Sequence, residues 1–331
     1  MQIFRDVRDA HLPGPTFLTI GNFDGLHRGH QVLLARLRAN AANAGGQSAL
    51  LTFDPHPLAV LRPDTPLHLL TTPLERLTLA GNLGVDVGIV QPFTRELAQL
   101  EPSAFLQLLH THLGLAGLTV GPDFALGRDR SGTLDVLTEL GRQMGFGVDV
   151  VEPVAVAGEE VRSYTIRQAL REGQVERVAS LLGREYTVNG QVAHGDHRGR
   201  TINVPTANLQ VDENRLLPAD GVYATWAWIG DAVRAPRLAG VTNVGMRPTV
   251  GGTERRVECH IFDFPAPGES GEIYGQTVTL AFVQRLRAEQ RFANLDELIA
   301  QIQRDITAAR TVLDVDTSGN ANGPLTNADK R

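Results

Sequence analysis

A chain of 331 residues, 42% hydrophobic and 21% charged, is long enough for two globular domains with separate cores. Its net charge of -6 argues against nucleic acid as a partner, because polyanion binders carry a basic face. The single cysteine, Cys259, excludes an intramolecular disulfide and a cysteine-based zinc site, and the single lysine, Lys330, excludes P-loop and Schiff-base chemistry.

Charged Arg5, Asp6, Arg8 and Asp9 break up any signal-peptide core, and a cytoplasmic location is expected. Residues 17–23 are a short apolar run. A helical pattern follows to about Ala42, with Leu33, Leu34 and Leu37 on one face, and Gly45-Gly46 stops it before a second apolar run at 48–53. That order predicts a right-handed strand-helix-strand crossover. Thr72-Pro73-Leu74-Glu75 is a capping box with proline at the first helical position, opening a helix that Gly81 or Gly84 ends. The longest uncharged run, 102–122, contains Gln107, His110, His112 and Gly114 and reads as a helix, a turn and a strand, not as a membrane span. With strands near 85–90, 118–120 and 147–151, the first part is a doubly wound α/β domain.

After Gly183 the pattern changes to short alternating runs at 186–192, 222–229, 237–244, 256–262 and 277–282, the texture of a small β-barrel. Asn294 and Glu297 cap a last helix whose stripe of Leu295, Leu298, Ile299, Ile302, Ile306 and Leu313 is expected to pack on the barrel. The divisions are 1–183, 184–313 and a polar tail, 314–331, expected to be disordered.

The first strand runs into Gly21-Asn22-Phe23-Asp24-Gly25-Leu26-His27-Arg28-Gly29-His30. Glycines at a strand-helix junction let a ligand approach the backbone, and free N–H groups at the helix start favour an anion. His27 and His30, three apart, share a face and point to a phosphate site. Two solvated turn histidines, or two ligands of a zinc site completed elsewhere, are the other readings.

These residues, with Thr52-Phe53-Asp54-Pro55-His56-Pro57, the run from Val120 through Asp123, Phe124 and Gly127, and Ser163 to Arg167, resemble the FAD synthetase branch of the nucleotidyltransferase superfamily. The resemblance implies a Rossmann-like domain in which FMN phosphate attacks the α-phosphorus of ATP. It implies catalytic His27 and His30, ATP contacts from Gly21, Asn22, Phe23, Asp24, Gly29, Ser163 and Arg167, and flavin contacts from Asp54, Asp123 and Phe124. Tyr164 stands where the family has threonine.

In the second half, His194-Gly195-Asp196-His197-Arg198-Gly199-Arg200, Pro205-Thr206-Ala207-Asn208, Asn243 to Thr249 and Val257-Glu258-Cys259-His260 occur in an order that resembles riboflavin kinase. Singly they read as a hairpin loop, a turn, a bulge and an alternating strand. The resemblance implies a riboflavin-kinase-type β-barrel with a C-terminal helix, Glu258 as base for riboflavin's 5′-hydroxyl, and ATP contacts from Gly195, Gly199, Arg200, Thr206 and Asn208. Thr206 and Asn208 offer oxygen ligands suited to Mg²⁺. Asn203-Val204 replaces the family's Gly-Phe. Nearly the whole chain thus resembles the bifunctional bacterial enzymes, with riboflavin, FMN and ATP as partners and no nucleic acid or membrane. A different phosphate acceptor for the first domain, or a barrel that only binds, are the rival readings.

Overall fold

The computed structural model describes residues 1–194, 204–232, 234–249, 252–264 and 272–316, in two compact units that part between Ser163 and Tyr164. In the first, strands β1 (Gln2–Phe4), β2 (Thr16–Ile20), β3 (Gln47–Asp54), β4 (Val87–Pro92), β5 (Leu115–Val120) and β6 (Gly147–Val150) form one parallel sheet in the order β1-β4-β3-β2-β5-β6. Helices α1 (Arg28–Asn43), α2 (Pro57–Leu61), α3 (Pro73–Asn82), α4 (Arg95–Ala98), α5 (Pro102–Leu113) and α6 (Leu134–Met144) connect them, and β7 (Ala155–Val156) and β8 (Glu159–Glu160) make a short hairpin.

β3 is apolar along both faces because helices cover a parallel sheet on both sides. From α5, Phe105, Leu106, Leu109 and Leu113 are buried against Leu18, Ile20, Leu118 and Val120 of the sheet, each contributing about 1.5–3 kcal/mol. The expected capping box is formed: Thr72 Oγ1 accepts from the Glu75 amide at 3.2 Å and Glu75 Oε2 from the Thr72 amide at 2.7 Å. The 102–122 run is α5, a left-handed Gly114 and β5.

The chain steps from β2 outward to β3 and β4, then returns to place β5 on the other side of β2. Strand order therefore reverses between β2 and β5, and the crevice beyond their carboxyl ends is where ligands bind in sheets of this type. The Gly21–His30 segment leaves β2 at that edge, Asp54 closes β3, and Asp123 and Phe124 follow β5.

The second unit opens with α7 (Ser163–Arg171) and α8 (Val175–Leu182). Gly183, where the sequence pattern changes, is the left-handed C-cap of α8 and lies inside this unit, after the point where the two units part. Strands β9 (Tyr186–Ala193), β10 (Ala207–Gln210), β11 (Gly221–Ile229), β12 (Leu238–Thr249), β13 (Gly252–Ile261) and β14 (Thr277–Arg287) close into an antiparallel barrel in the order β10-β13-β12-β11-β14-β9. Inside it, Tyr223 meets Phe282 edge to face, and Thr225 and Thr242 share a 2.7 Å hydrogen bond. Cys259 lies beside these hydroxyls, where burial pushes its thiol up to about 11 and keeps it neutral.

The last helix, α9 (Leu295–Asp316), starts as expected, with Asn294 Oδ1 accepting from the Glu297 amide at 2.9 Å. Its apolar stripe behaves differently from the expectation. Ala309 and Leu313, with Ile306, pack on Trp226, Trp228 and Val222, whereas Leu295, Leu298 and Ile302 face a cavity. The helix also continues to Asp316, past the point where the polar tail was expected to begin; 317–331 lie outside the described residues. Among the described residues no helix is long and apolar enough to cross a membrane.

Candidate functional sites

In the first unit, His27 caps α1, its Nδ1 accepting from the His30 amide at 3.4 Å. The two imidazoles stack with centroids 3.6 Å apart, and the Phe23 ring meets His30 edge-on at 5.0 Å. A Cβ on Gly29 would lie 3.2 Å from the His27 ring, so the close approach of backbone to imidazole favours glycine there. Gly25, at φ +86°, turns the chain between Asp24 and the helix. Burial, then the neighbouring His27 and the Arg76 guanidinium, holds His30 well below its ordinary value of 6.5. His30 is therefore neutral at pH 7, and among the described residues its buried Nδ1 has no hydrogen-bond partner.

Asp24, expected at the phosphate, turns its carboxylate into the protein. It accepts from the Leu70 and Thr71 amides and from Thr71 Oγ1, each at 3.0 Å, and lies 3.6 Å from Arg76, with both side chains at most 2% exposed. The physical reason is charge: an anion beside a phosphate is repelled, whereas here it anchors the loop to residues 70–71. The loop is held on two more sides. Thr52 Oγ1 donates to the Asn22 carbonyl at 3.1 Å and Ser163 Oγ to the Asp24 carbonyl at 2.8 Å. The Gly21 amide donates to the Leu51 carbonyl at 3.0 Å, which ties the start of the loop to β3.

Ser163 and Arg167 stand one turn apart on α7; Tyr164 between them is 63% exposed and its hydroxyl accepts from Gln168. Asp54 is exposed at the end of β3. Asp123 is exposed too, 3.4 Å from Arg162, while Phe124 packs against the core of the unit. Arg76 and Thr71 were not legible as site residues, since a buried arginine in a capped helix leaves no sequence signal.

In the barrel, strand register does the assembling. Asn208 on β10 pairs with Glu258 on β13, Glu258 with Asn243 on β12, Asn243 with Val222 on β11, and Val222 with Arg287 on β14. Directly paired residues point to the same face, so these five form one row. Val222 packs with α9, which places the row on the outer face. Between that face and α9 lies a cavity of about 610 Å³. One wall is apolar, with Phe292, Leu298 and Ile302; the other carries Thr206, Asn243, Glu258 and His260.

Arg287 and Asp305 also line the cavity and form a bidentate pair, Nε to Oδ1 at 3.0 Å and Nη2 to Oδ2 at 2.8 Å. Asp305 is visible in sequence as one acid between the stripe positions Ile302 and Ile306, a signal the pattern reading passed over. Gly195, Gly199 and Arg200 lie outside the described residues.

Comparison with known proteins matches both halves. The model described as FAD synthetase matches residues 9–165 and that described as riboflavin kinase matches 182–313. A bifunctional riboflavin kinase/FMN adenylyltransferase of Pseudomonas fluorescens is 38% identical over 296 residues, 89% of this chain and 92% of the relative. The Escherichia coli protein of the same name is 37% identical over 88% of this chain and 91% of its own, and that of Bacillus subtilis 34% identical over 87% and 89%. A Streptococcus pneumoniae crystal structure described as a macrolide-efflux protein superposes with TM-score 0.84 at 30% identity, covering 93% of this chain and 98% of that one.

Proposed function

This chain belongs to the bifunctional riboflavin kinase/FMN adenylyltransferase family, and from that premise we propose which of its residues carry each reaction. The chain phosphorylates riboflavin to FMN and adenylylates FMN to FAD, using ATP in both steps. We assign adenylylation to residues 1–183 and phosphorylation to residues 184–313, in a cytoplasmic enzyme that needs no disulfide.

In adenylylation, an FMN phosphate oxygen forms a bond to the α-phosphorus of ATP as the bond to the bridging oxygen breaks and pyrophosphate leaves. The nucleophile is already ionised, so the site needs alignment and charge stabilisation more than a base. His27, His30 and the first amides of α1 supply donors at the developing charge. A buried imidazole nitrogen without a partner is costly, which supports His30 being held for a ligand.

Phosphorylation does need a base, because the 5′-hydroxyl must lose its proton as it attacks the γ-phosphorus and ADP departs. Glu258 is that base. The observation that carries this reading is the row Asn208, Glu258, Asn243 beside an apolar-walled cavity large enough for a tricyclic ring. The ring lies along Phe292, Leu298 and Ile302, which explains why half of an amphipathic stripe is left unpacked. Thr206 and Asn208 fit Mg²⁺: a hydroxyl and an amide oxygen are hard ligands, and so small a protein share leaves the other positions to phosphate and water. When bound, the ion neutralises charge on the ATP phosphates.

Incubating the full chain with riboflavin, ATP and Mg²⁺ and separating the flavins by chromatography tests the assignment. Glu258→Gln should lower riboflavin phosphorylation about 10²- to 10⁴-fold while leaving added FMN convertible to FAD. Unimpaired phosphorylation would remove Glu258 from the mechanism.

A further inference from the structure

β10 enters its ladder with β13 at the pair Ala207 and Cys259. Continued in register, the residues before it would place Thr206 opposite His260, but Pro205 has no N–H and the backbone ladder ends. A side chain takes over at that point. His260 Nδ1 lies 2.8 Å from the Pro205 carbonyl oxygen. A carbonyl oxygen only accepts, so Nδ1 carries the proton and the neutral ring is the Nδ1–H tautomer.

His260 follows Glu258 by two residues on β13, hence on the same face, and both line the cavity with Thr206. The Phe262 ring meets the imidazole edge-on, centroids 5.7 Å apart, and limits its rotation. One strand thus carries the proposed base and, two residues away, the group that holds the carbonyl immediately before Thr206.

We propose that His260 is a positioning residue for phosphoryl transfer, clamping the Pro205 carbonyl so that Thr206 is held at a set distance from Glu258. The proposal rests on the assignment of Glu258, Thr206 and Asn208 to the kinase site. It differs from a general packing role in what it requires of the side chain: an N–H donor at the Nδ1 position, not merely a ring of that size. The amide nitrogen of asparagine meets that requirement and leucine does not.

The test compares full-length His260→Leu, His260→Asn and Glu258→Gln. His260→Leu should raise the KM for ATP in phosphorylation and weaken ADP binding, read by calorimetry with Mg²⁺ present, roughly 10- to 100-fold, the range for removing a group that orients a ligand-binding residue. The conversion of added FMN to FAD, which uses the other unit, should stay at the wild-type rate. His260→Asn should recover most of the loss. The ¹⁵N imidazole spectrum of the wild type should show residue 260 protonated at Nδ1.

Wild-type ADP affinity in His260→Leu, or equal damage in His260→Asn and His260→Leu, overturns the proposal. Wild-type phosphorylation in Glu258→Gln overturns the underlying assignment instead. If His260→Leu loses the barrel's circular dichroism, His260→Asn and the imidazole spectrum decide, and an Nε2–H tautomer overturns the clamp.

Discussion

The imidazoles of His27 and His30 stack with centroids 3.6 Å apart and planes 16° from parallel, both at the first turn of α1. Under the proposed assignment both rings serve the same adenylylation step. His30→Ala should therefore depress adenylylation of FMN about 10²- to 10³-fold, the loss seen when one donor to a developing charge is removed. Riboflavin phosphorylation by the same preparation should be unchanged. Equal loss of both activities in a folded variant would show that the two reactions share a site.

His30 also gives the chain an acid-side sensitivity. Its folded value lies well below 6.5, so between the two values the unfolded chain takes up a proton that the folded one refuses. That contribution is complete above about pH 6.5 and is lost as the pH falls toward the folded value. Thermal unfolding at pH 7.5 and 5.5 should show a larger acid-side loss in the wild type than in His30→Gln. An identical loss in both would mean that residue 30 titrates normally.

The Asp24–Arg76 pair, buried under the loop, predicts strong coupling. Arg76→Met leaves a buried carboxylate without its cation and should destabilise the first unit by about 3–5 kcal/mol. Asp24→Asn strands the guanidinium, and the double variant should be less destabilised than the sum of the singles. Urea unfolding of the four proteins measures this, and simple additivity would contradict the pairing.

Arg287 and Asp305, both lining the cavity, fasten α9 to β14. Asp305→Leu should destabilise the barrel unit by about 3–5 kcal/mol and weaken riboflavin binding, because the helix that carries Leu298 and Ile302 loses its anchor. Flavin fluorescence titration reads the second effect. Wild-type riboflavin affinity in this variant would separate the helix anchor from the flavin wall.

Local chemistry was legible without coordinates. The capping box at Thr72, the helix-turn-strand at 102–122, the Asn294 cap and the change of texture after Gly183 depend on neighbours a few residues apart, and each appears in the structure. The single lysine also limited the phosphate chemistry open to the chain before any fold was known.

What depended on distant pairing was not legible. The resemblance put Asp24 among the ATP contacts, and nothing in the sequence says that residues 70, 71 and 76 will surround its carboxylate. The apolar stripe of α9 looked uniformly packed because periodicity reports a face, not what lies opposite that face. Which strand returns beside β2, and which residue of β13 meets Asn208, are set by sheet order and barrel closure. Those are choices among long-range alternatives with the same local pattern, so sequence alone named Glu258 and Asn208, and only the tertiary register put them side by side.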